Sequence, residues 1–487
     1  MEIADLTPAE RLMWQAFPRS EAVDFRQADD DPERGDAWGA ERTVRAEVVR
    51  ALLLGGLSED GEIAALRLSG VRISGLLNLQ YATVDCAIRL WACHFEQTPI
   101  LYGAKVRQLN LSESFLPALN AATIRVDGVL RLTDCRIPGE VRLGGAEISG
   151  ALFLDRAHLG RDGGGEDPIL QLNQAVINDD LWAPGLVAHG EVRLSGARVS
   201  GAVNLDDARL SAPDGTALQA EAFTVGSNLS ARRLRTDGRV NLRGSKFPGQ
   251  IDLTGAHLSS PGGVALRASS CTIGELWLRD ADPIDGLVNL RRSQLDLIHA
   301  APEVWPGPVR IDGLTYGSLA PALPAARRLE LLERDEDGYV PHAYEQLAAA
   351  YRRIGDDAGA RTVQLAKQRR HRGTLSWYAR IWGYVQDATV GYGFRPARAM
   401  AWLLALLLVG TAAYSLHHPQ PVDPGRTPDF HSAIYTLDLL LPIIDFGQEK
   451  AFTPHGGYQW LAYLLIAAGW VLATTVVAGI TRAVNRQ

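Results

Sequence analysis

Residues 140–159, EVRLGGAEISGALFLDRAHL, state one apolar–polar pattern twice in eleven-residue steps: Val141, Leu143, Ala146, Ile148, then Leu152, Leu154, Ala157, Leu159. The template, apolar–x–Leu–x–x–small–x–apolar, returns at Leu66/Leu68/Val71/Ile73, Leu77/Leu79/Ala82/Val84, Ile88/Leu90/Cys93/Phe95 and Leu130/Leu132/Cys135/Ile137. It recurs again at Val192/Leu194/Ala197/Val199, Val203/Leu205/Ala208/Leu210, Val240/Leu242/Ser245/Phe247, Ile251/Leu253/Ala256/Leu258 and Val288/Leu290/Ser293/Leu295. A fixed short period is the signature of a solenoid. Apolar residues at i and i+2 are the mark of a short strand with one face buried, and Gly or Asp falls between strands where the chain must turn. Two steps make one coil, and the alternating five- and six-residue spacing predicts a right-handed, four-sided β-helix. Its interior is expected to be lined by Leu132, Ile137, Leu143, Ile148, Leu154, Leu159, Leu194, Val199, Leu205, Leu210, Leu242, Phe247, Leu253 and Leu258, with Ala, Ser or Cys at the cramped corner.

In architecture this pattern resembles the pentapeptide-repeat family and its relatives, although no clean Ala-(Asp/Asn)-Leu-x-x run is present. The fold class expected is therefore mainly β: a quadrilateral, pentapeptide-repeat-like β-helix over residues 63–320, with helical caps. Residues 1–62 read as the N-terminal cap. Thr7, Pro8 and Glu10 start one helix there, and residues 41–54 place Val44, Val48 and Leu52 on one face of a second. Uncovered solenoid ends would expose strand edges, which gives a cap its purpose. From about residue 160 the coils are interrupted by polar stretches (160–168, 211–215), and loops of this kind on one face are a natural binding surface for a protein partner.

Past residue 320 the period becomes helical. Residues 321–398 read as a neck, in which LAAAYRRIGDDAGAR resembles half of a tetratricopeptide unit closed by Gly355. Residues 399–487 read as a membrane domain. Residues 399–416 and 460–480 are uncharged runs long enough to span, giving a two-helix transmembrane hairpin. Arg395, Arg398, Trp402, Trp460 and Tyr463 are its expected interface anchors. Arginines crowd the outer flanks of the hairpin while the loop between the spans holds only Arg426 and Lys450, so both termini and the solenoid are expected in the cytoplasm. Small residues at Gly469 and Ala473 would permit close helix packing, compatible with a homo-oligomer formed through the hairpin.

Between the spans, residues 430–446, FHSAIYTLDLLLPIIDF, are apolar but too short to cross. The preferred expectation is an amphipathic helix lying on the membrane surface, kinked at Pro442, with both acids in water. The alternative is a re-entrant segment of a two-span channel, with Asp438 and Asp445 as acidic pore residues. Residues 389–393 spell TVGYG, the potassium-filter motif. Here it precedes the first span instead of lying between two, so it is expected to be a turn feeding the helix.

Composition narrows the chemistry. The net charge of −7 over 487 residues is mild, and only four of the 49 basic residues are Lys, a bias of high-GC genomes. Charge along the coils is near balance, with neither a DNA-like acidic surface nor a basic groove, so no nucleic-acid partner is expected. The four cysteines form no CxxC, and Cys93 and Cys135, at the small-residue position of the template, are read as filler. The triple glycine at 163–165 lacks GK[ST] and a following helix, no GxGxxG, HExxH or GxSxG occurs, and no catalytic, metal or cofactor site is assigned.

From the opening ADLTPAERLMWQAFPR, through the coils and GYGFRPARA, to the closing apolar pair, the chain resembles bacterial, largely actinobacterial, proteins labelled membrane-associated oxidoreductase. That resemblance implies a bacterial plasma-membrane protein with redox activity. The residues themselves point to a membrane-anchored scaffold without a catalytic site.

Overall fold

The structure is a computed structural model that describes the chain except residues 1–4, 56–61, 164–166, 394–395, 424, 426–427, 442–443 and 485–487. Side chains at 382, 385, 389–390, 393, 396 and 473–484 also lie outside the described set. The chain forms two compact units, Met1–Ala350 and Tyr351–Gln487.

The first unit is a parallel β-solenoid of about 12 turns. Short strands from Ala65–Ser69 to Thr315–Ala320 pair only in parallel, each with its counterpart one coil on. One ladder stacks Leu66, Ile88, Leu109, Leu130, Leu152, Leu181, Val203, Leu229, Ile251, Leu276, Ile298 and Leu319 in register. A second aligns Val84, Val106, Val126, Ile148, Ile177, Val199 and Val225. A third runs from Leu119 through Val141, Leu170, Val192, Leu218, Val240, Leu266 and Val288 to Val309. The fourth includes Ile137, Leu159, Ala188 and Leu210. All fourteen interior residues expected from the sequence are buried. Register holds because a one-residue slip would turn every stacked aliphatic outward.

At one recurring corner type the residue before the inward-facing one adopts a left-handed backbone: φ is 55° at Asp134, 67° at Gly145 and 53° at Arg156. The turn lets the N–H of the small residue donate to the carbonyl three residues back, as at Ala82 to Leu79 (3.0 Å), Ala104 to Leu101 (3.0 Å) and Ala146 to Leu143 (3.1 Å). At three corners a serine from the next coil stands between those two groups. Ser114 Oγ accepts from Cys93 N–H (3.0 Å) and donates to Leu90 C=O (3.0 Å). Ser245 Oγ accepts from Phe223 N–H (2.9 Å) and donates to Ala220 C=O (2.6 Å). Ser293 does the same for Cys271 and Ala268. Hence Ser, as well as Ala, suits a buried site otherwise open only to small side chains.

The N-terminal region is more than a helical cap. Helix α1 (Pro8–Ala16) begins with a capping box of Thr7 and Glu10. Residues 41–54 do not form one helix: Thr43–Arg45 is a strand, and helix α2 (Ala46–Gly55) follows. The strand stacks Val44 on Ile73, and Val23–Asp24 likewise pairs with Leu68–Ser69. Exposed strand edges outcompeted the helical period, because buried backbone groups must find partners. Fully buried Glu10 accepts from the N–H and guanidinium of Arg45 (2.9, 2.9 and 2.8 Å), which ties α1 to this strand. The polar stretch at 211–215 is not a free loop either: it lies within one long strand, Arg209–Gln219, as an exposed bulge between Ser211 and Thr216.

At the other end, helices α3 (Ala325–Glu333) and α4 (Pro341–Arg353) cover the last coil. Leu331, Leu332, Ala343 and Leu347 face Leu290, Ile311 and Leu314 across an apolar cavity of about 50 Å³. The boundary between units falls inside α4. In the second unit, helices α5 (Asp357–Thr374), α6 (Trp377–Val390), α7 (Pro396–Leu416), α8 (Ser432–Leu440), α9 (Gln448–Ala451) and α10 (Gly457–Val484) follow in order.

Candidate functional site

Among the described residues one helix, Ala397–Leu416 within α7, is long and apolar enough to cross a membrane. The described apolar part of α10, Gly457–Leu472, is shorter. The two helices run antiparallel. Tyr414 Oη donates to Tyr458 C=O (3.0 Å) and Tyr458 Oη lies 2.8 Å from His417 Nδ1, joining the end of α7 to the start of α10. Ala399 and Leu472 pack together at the other end.

Helix α8 packs against both. Tyr414, Tyr435, Leu439, Leu440, Phe452, Ala462 and Leu465 form one buried cluster. Glycine makes this approach feasible: a Cβ on Gly410 would stand 2.3 Å from Thr436 Cγ2, and one on Gly469 would stand 2.2 Å from Leu440 O. Gly469 lies 12 residues into α10, so Leu440 sits about 18 Å along that helix from its start. After Leu440 the chain comes back. Gln448, beyond the turn, contacts His431 N–H (3.3 Å) and Asp429 C=O (3.0 Å), beside the start of α8.

The expectation that both acids lie in water is corrected for Asp438. The pattern of 430–446 shows an apolar segment but not its cover, which comes from helices far away in sequence. Asp438 is 4% exposed, and both of its oxygens are engaged: Oδ1 accepts from Phe446 N–H and Oδ2 from Glu449 N–H, each at 2.8 Å. It clasps the outgoing leg to the returning one. Asp445 is exposed, accepts from Gly447 N–H (2.8 Å) and pairs with Lys450. The Lys450 ammonium holds the Asp445 carboxyl below its usual range. The two acids therefore occupy different settings. Pro442 lies outside the described residues.

Of the expected anchors, Arg398, Trp402, Trp460 and Tyr463 are exposed, and Arg395 lies outside the described residues. Trp402 Nε1 donates to Ala388 C=O (3.3 Å), joining α7 to α6. Exposed Trp377, Tyr378, Ile381 and Tyr384 line α6. The TVGYG stretch ends α6 and forms the turn Gly391–Gly393, as expected of a helix junction. Gly469, expected to permit close helix packing, is met by α8 of its own chain; Ala473 lies outside the described side chains. Tyr414, read from the sequence as a ring near a span end, is buried in the cluster; Gly410 and Tyr435 were not singled out, since a lone glycine in an apolar run is a weak signal.

The cysteines are structural. Cys93, Cys135 and Cys271 are buried at corners, and burial pushes their thiols up to about 12, 12 and 11. Cys135 and Cys271 donate to Leu111 C=O and Leu242 C=O, each at 2.9 Å. No group of His, Cys, Asp and Glu suited to a metal occurs among the described residues. No protein family, curated protein or solved structure matches the chain.

Proposed function

We propose that the protein is a membrane-anchored scaffold: a right-handed, four-sided β-helix held at the cytoplasmic face of a bacterial plasma membrane by a two-span hairpin. The observation that carries this reading is the outward surface of α7 and α10. Leu404, Leu408, Val409, Leu416, Trp460, Leu464 and Trp470 are all exposed there, a row suited to lipid tails. The solenoid interior is filled by aliphatic ladders, leaving its outer faces for partners. Extraction with alkaline carbonate, followed by protease treatment of sealed inverted vesicles, tests it. The protein should stay in the pellet with the solenoid digested only from the cytoplasmic side; release into the supernatant would end the proposal.

A second reading, an oligomeric channel, draws on the short α8 that follows α7 in the chain, precedes α10 and packs against both, the layout of two-span pores. The clasp at Asp438 leaves Asp445 as the acid with an open face. An oligomer in nanodiscs together with conductance that falls in Asp445→Asn would support it; a monomer with silent bilayers would remove it.

A further inference from the structure

Where an arginine faces outward from the solenoid, a carboxylate is often beside it: Arg125 with Glu147, Arg136 with Glu33, Arg142 with Glu140, Arg156 with Asp134, Arg233 with Asp207. The outer column of the longest ladder breaks this habit at its N-terminal end. Successive coils present Arg67, Arg89, Asn110, Arg131, Phe153 and Trp182 in register. Arg67, Arg89 and Arg131 form no ion pair with a carboxylate among the described residues; the acid nearest the column, Asp24, acts on Arg89 but is itself paired with Arg26, and no acid interrupts the column before Asp252. Arg67 and Arg89 stand directly opposite each other on paired strands, an arrangement that costs stability through like-charge repulsion.

The rings of this face already serve the guanidinium groups. Trp91 is covered by Arg89 at 4.6 Å and by Arg26 at 3.6 Å, and Phe153 by Arg131 at 3.7 Å. A guanidinium laid flat on a ring keeps its N–H edge free for two-point contact with a carboxylate. Because the rings are covered, they are poor platforms for stacking bases, so the column fits carboxylates better than a single-stranded nucleic acid.

We propose that this column is a docking strip for an acidic, extended protein segment that lies along the solenoid axis. Strands stack about 4.8 Å apart, so Arg67 and Arg131, three coils apart, are about 14 Å from one another. Side chains on one face of an extended chain recur about every 6.8 Å, so acids at i, i+2 and i+4 also span about 14 Å. An apolar residue beyond the third acid reaches Trp182, which is 40% exposed.

The test uses the full chain in detergent and a fluorescent probe peptide of sequence (Glu-Ser)₃-Leu-amide, in which Leu follows the third acid on the same face, read by anisotropy at low salt. Saturable binding should weaken at least tenfold in the exposed-site variant Arg67→Ser/Arg89→Ser/Arg131→Ser. It should persist in Arg209→Ser/Arg235→Ser, which removes a registered arginine pair from another wall. Equal loss in both variants, or equal binding by both and the parent, would overturn the strip as a site. Tighter capture of oligothymidylate or of phosphatidylglycerol vesicles by the same arginines would replace the acidic segment with another partner class and so also overturn it. Melting temperatures of the two variants matching the parent exclude unfolding as the cause.

Discussion

Ser245→Ala isolates the serine bridge between coils. The side chain is fully buried, so no bulk water can replace the lost hydroxyl. Two groups are stranded together: the Phe223 N–H, 2.9 Å from Oγ, and the Ala220 carbonyl, 2.6 Å away. Leaving a buried donor unsatisfied costs about 1–3 kcal/mol, and adding an orphaned carbonyl brings the expected loss to about 2–4 kcal/mol. The removed oxygen leaves little volume, so no large cavity term is added. Hydrogen exchange followed by mass spectrometry on the segment holding Phe223 is the direct assay, since it reads local opening apart from global unfolding. At a factor of ten per about 1.4 kcal/mol, protection there should fall by about 30- to 700-fold, with distant coils much less affected. A change below threefold would refute the bridge, because it would mean that Phe223 N–H and Ala220 C=O satisfy each other once the hydroxyl is gone.

Three further outcomes follow from the geometry. Gly244 has φ 70° with nothing within 4 Å of an added Cβ, so Gly244→Ala should cost about 1–2 kcal/mol from backbone strain alone. Ala222, at φ 53°, should gain up to about 1 kcal/mol as Gly; denaturant midpoints of the pair should move in opposite directions. Gly469→Ala should drive α8 from its slot: in a Cys86→Ser background, Leu440→Cys should resist maleimide in the parent and label rapidly in the double variant. Burial raises the Asp206 carboxyl, but the Arg232 guanidinium, the Ser230 hydroxyl and the Arg232 N–H together hold it below its usual range. Its stabilisation is therefore present above the unfolded carboxyl value, near pH 4, and lost as pH falls through the lower folded value. Because Arg232 is 49% exposed, screening limits Asp206→Asn to a loss of about 1 kcal/mol at pH 7; thermal melts of variant and parent should converge as the pH is lowered through that value.

The interior of the solenoid was legible because its information is local and redundant: Val-x-Leu and the small corner residue repeat until chance is excluded. The corner at Asp134, Gly145 and Arg156 was visible only through its glycines, since Asp and Arg in a left-handed backbone leave no sequence mark. Val44 was correctly placed inside but assigned to a helix, because i, i+4 spacing cannot show that an open strand edge waits at Ile73. The same limit hid the slot for α8. Its walls at Gly410 and Gly469 are dozens of residues apart, and neither is unusual in its own neighbourhood. Ser245 and Ser293 were expected as small residues; the bridging role they share with Ser114 depends on a corner one coil earlier, which no window along the chain contains.

Coil-to-coil registry also constrains how this chain can change in length. Deleting one residue from Val141–Arg142 would point the wrong side chain at both Leu119 and Leu170. Excising one whole coil would bring strands of the same pattern together and leave both end covers fitting. Extra residues at the bulge between Ser211 and Thr216 would disturb neither neighbour, because pairing resumes on either side. Natural variation should thus be quantised in complete coils, or confined to that bulge, with the distance between the two ends changing in steps of one strand spacing.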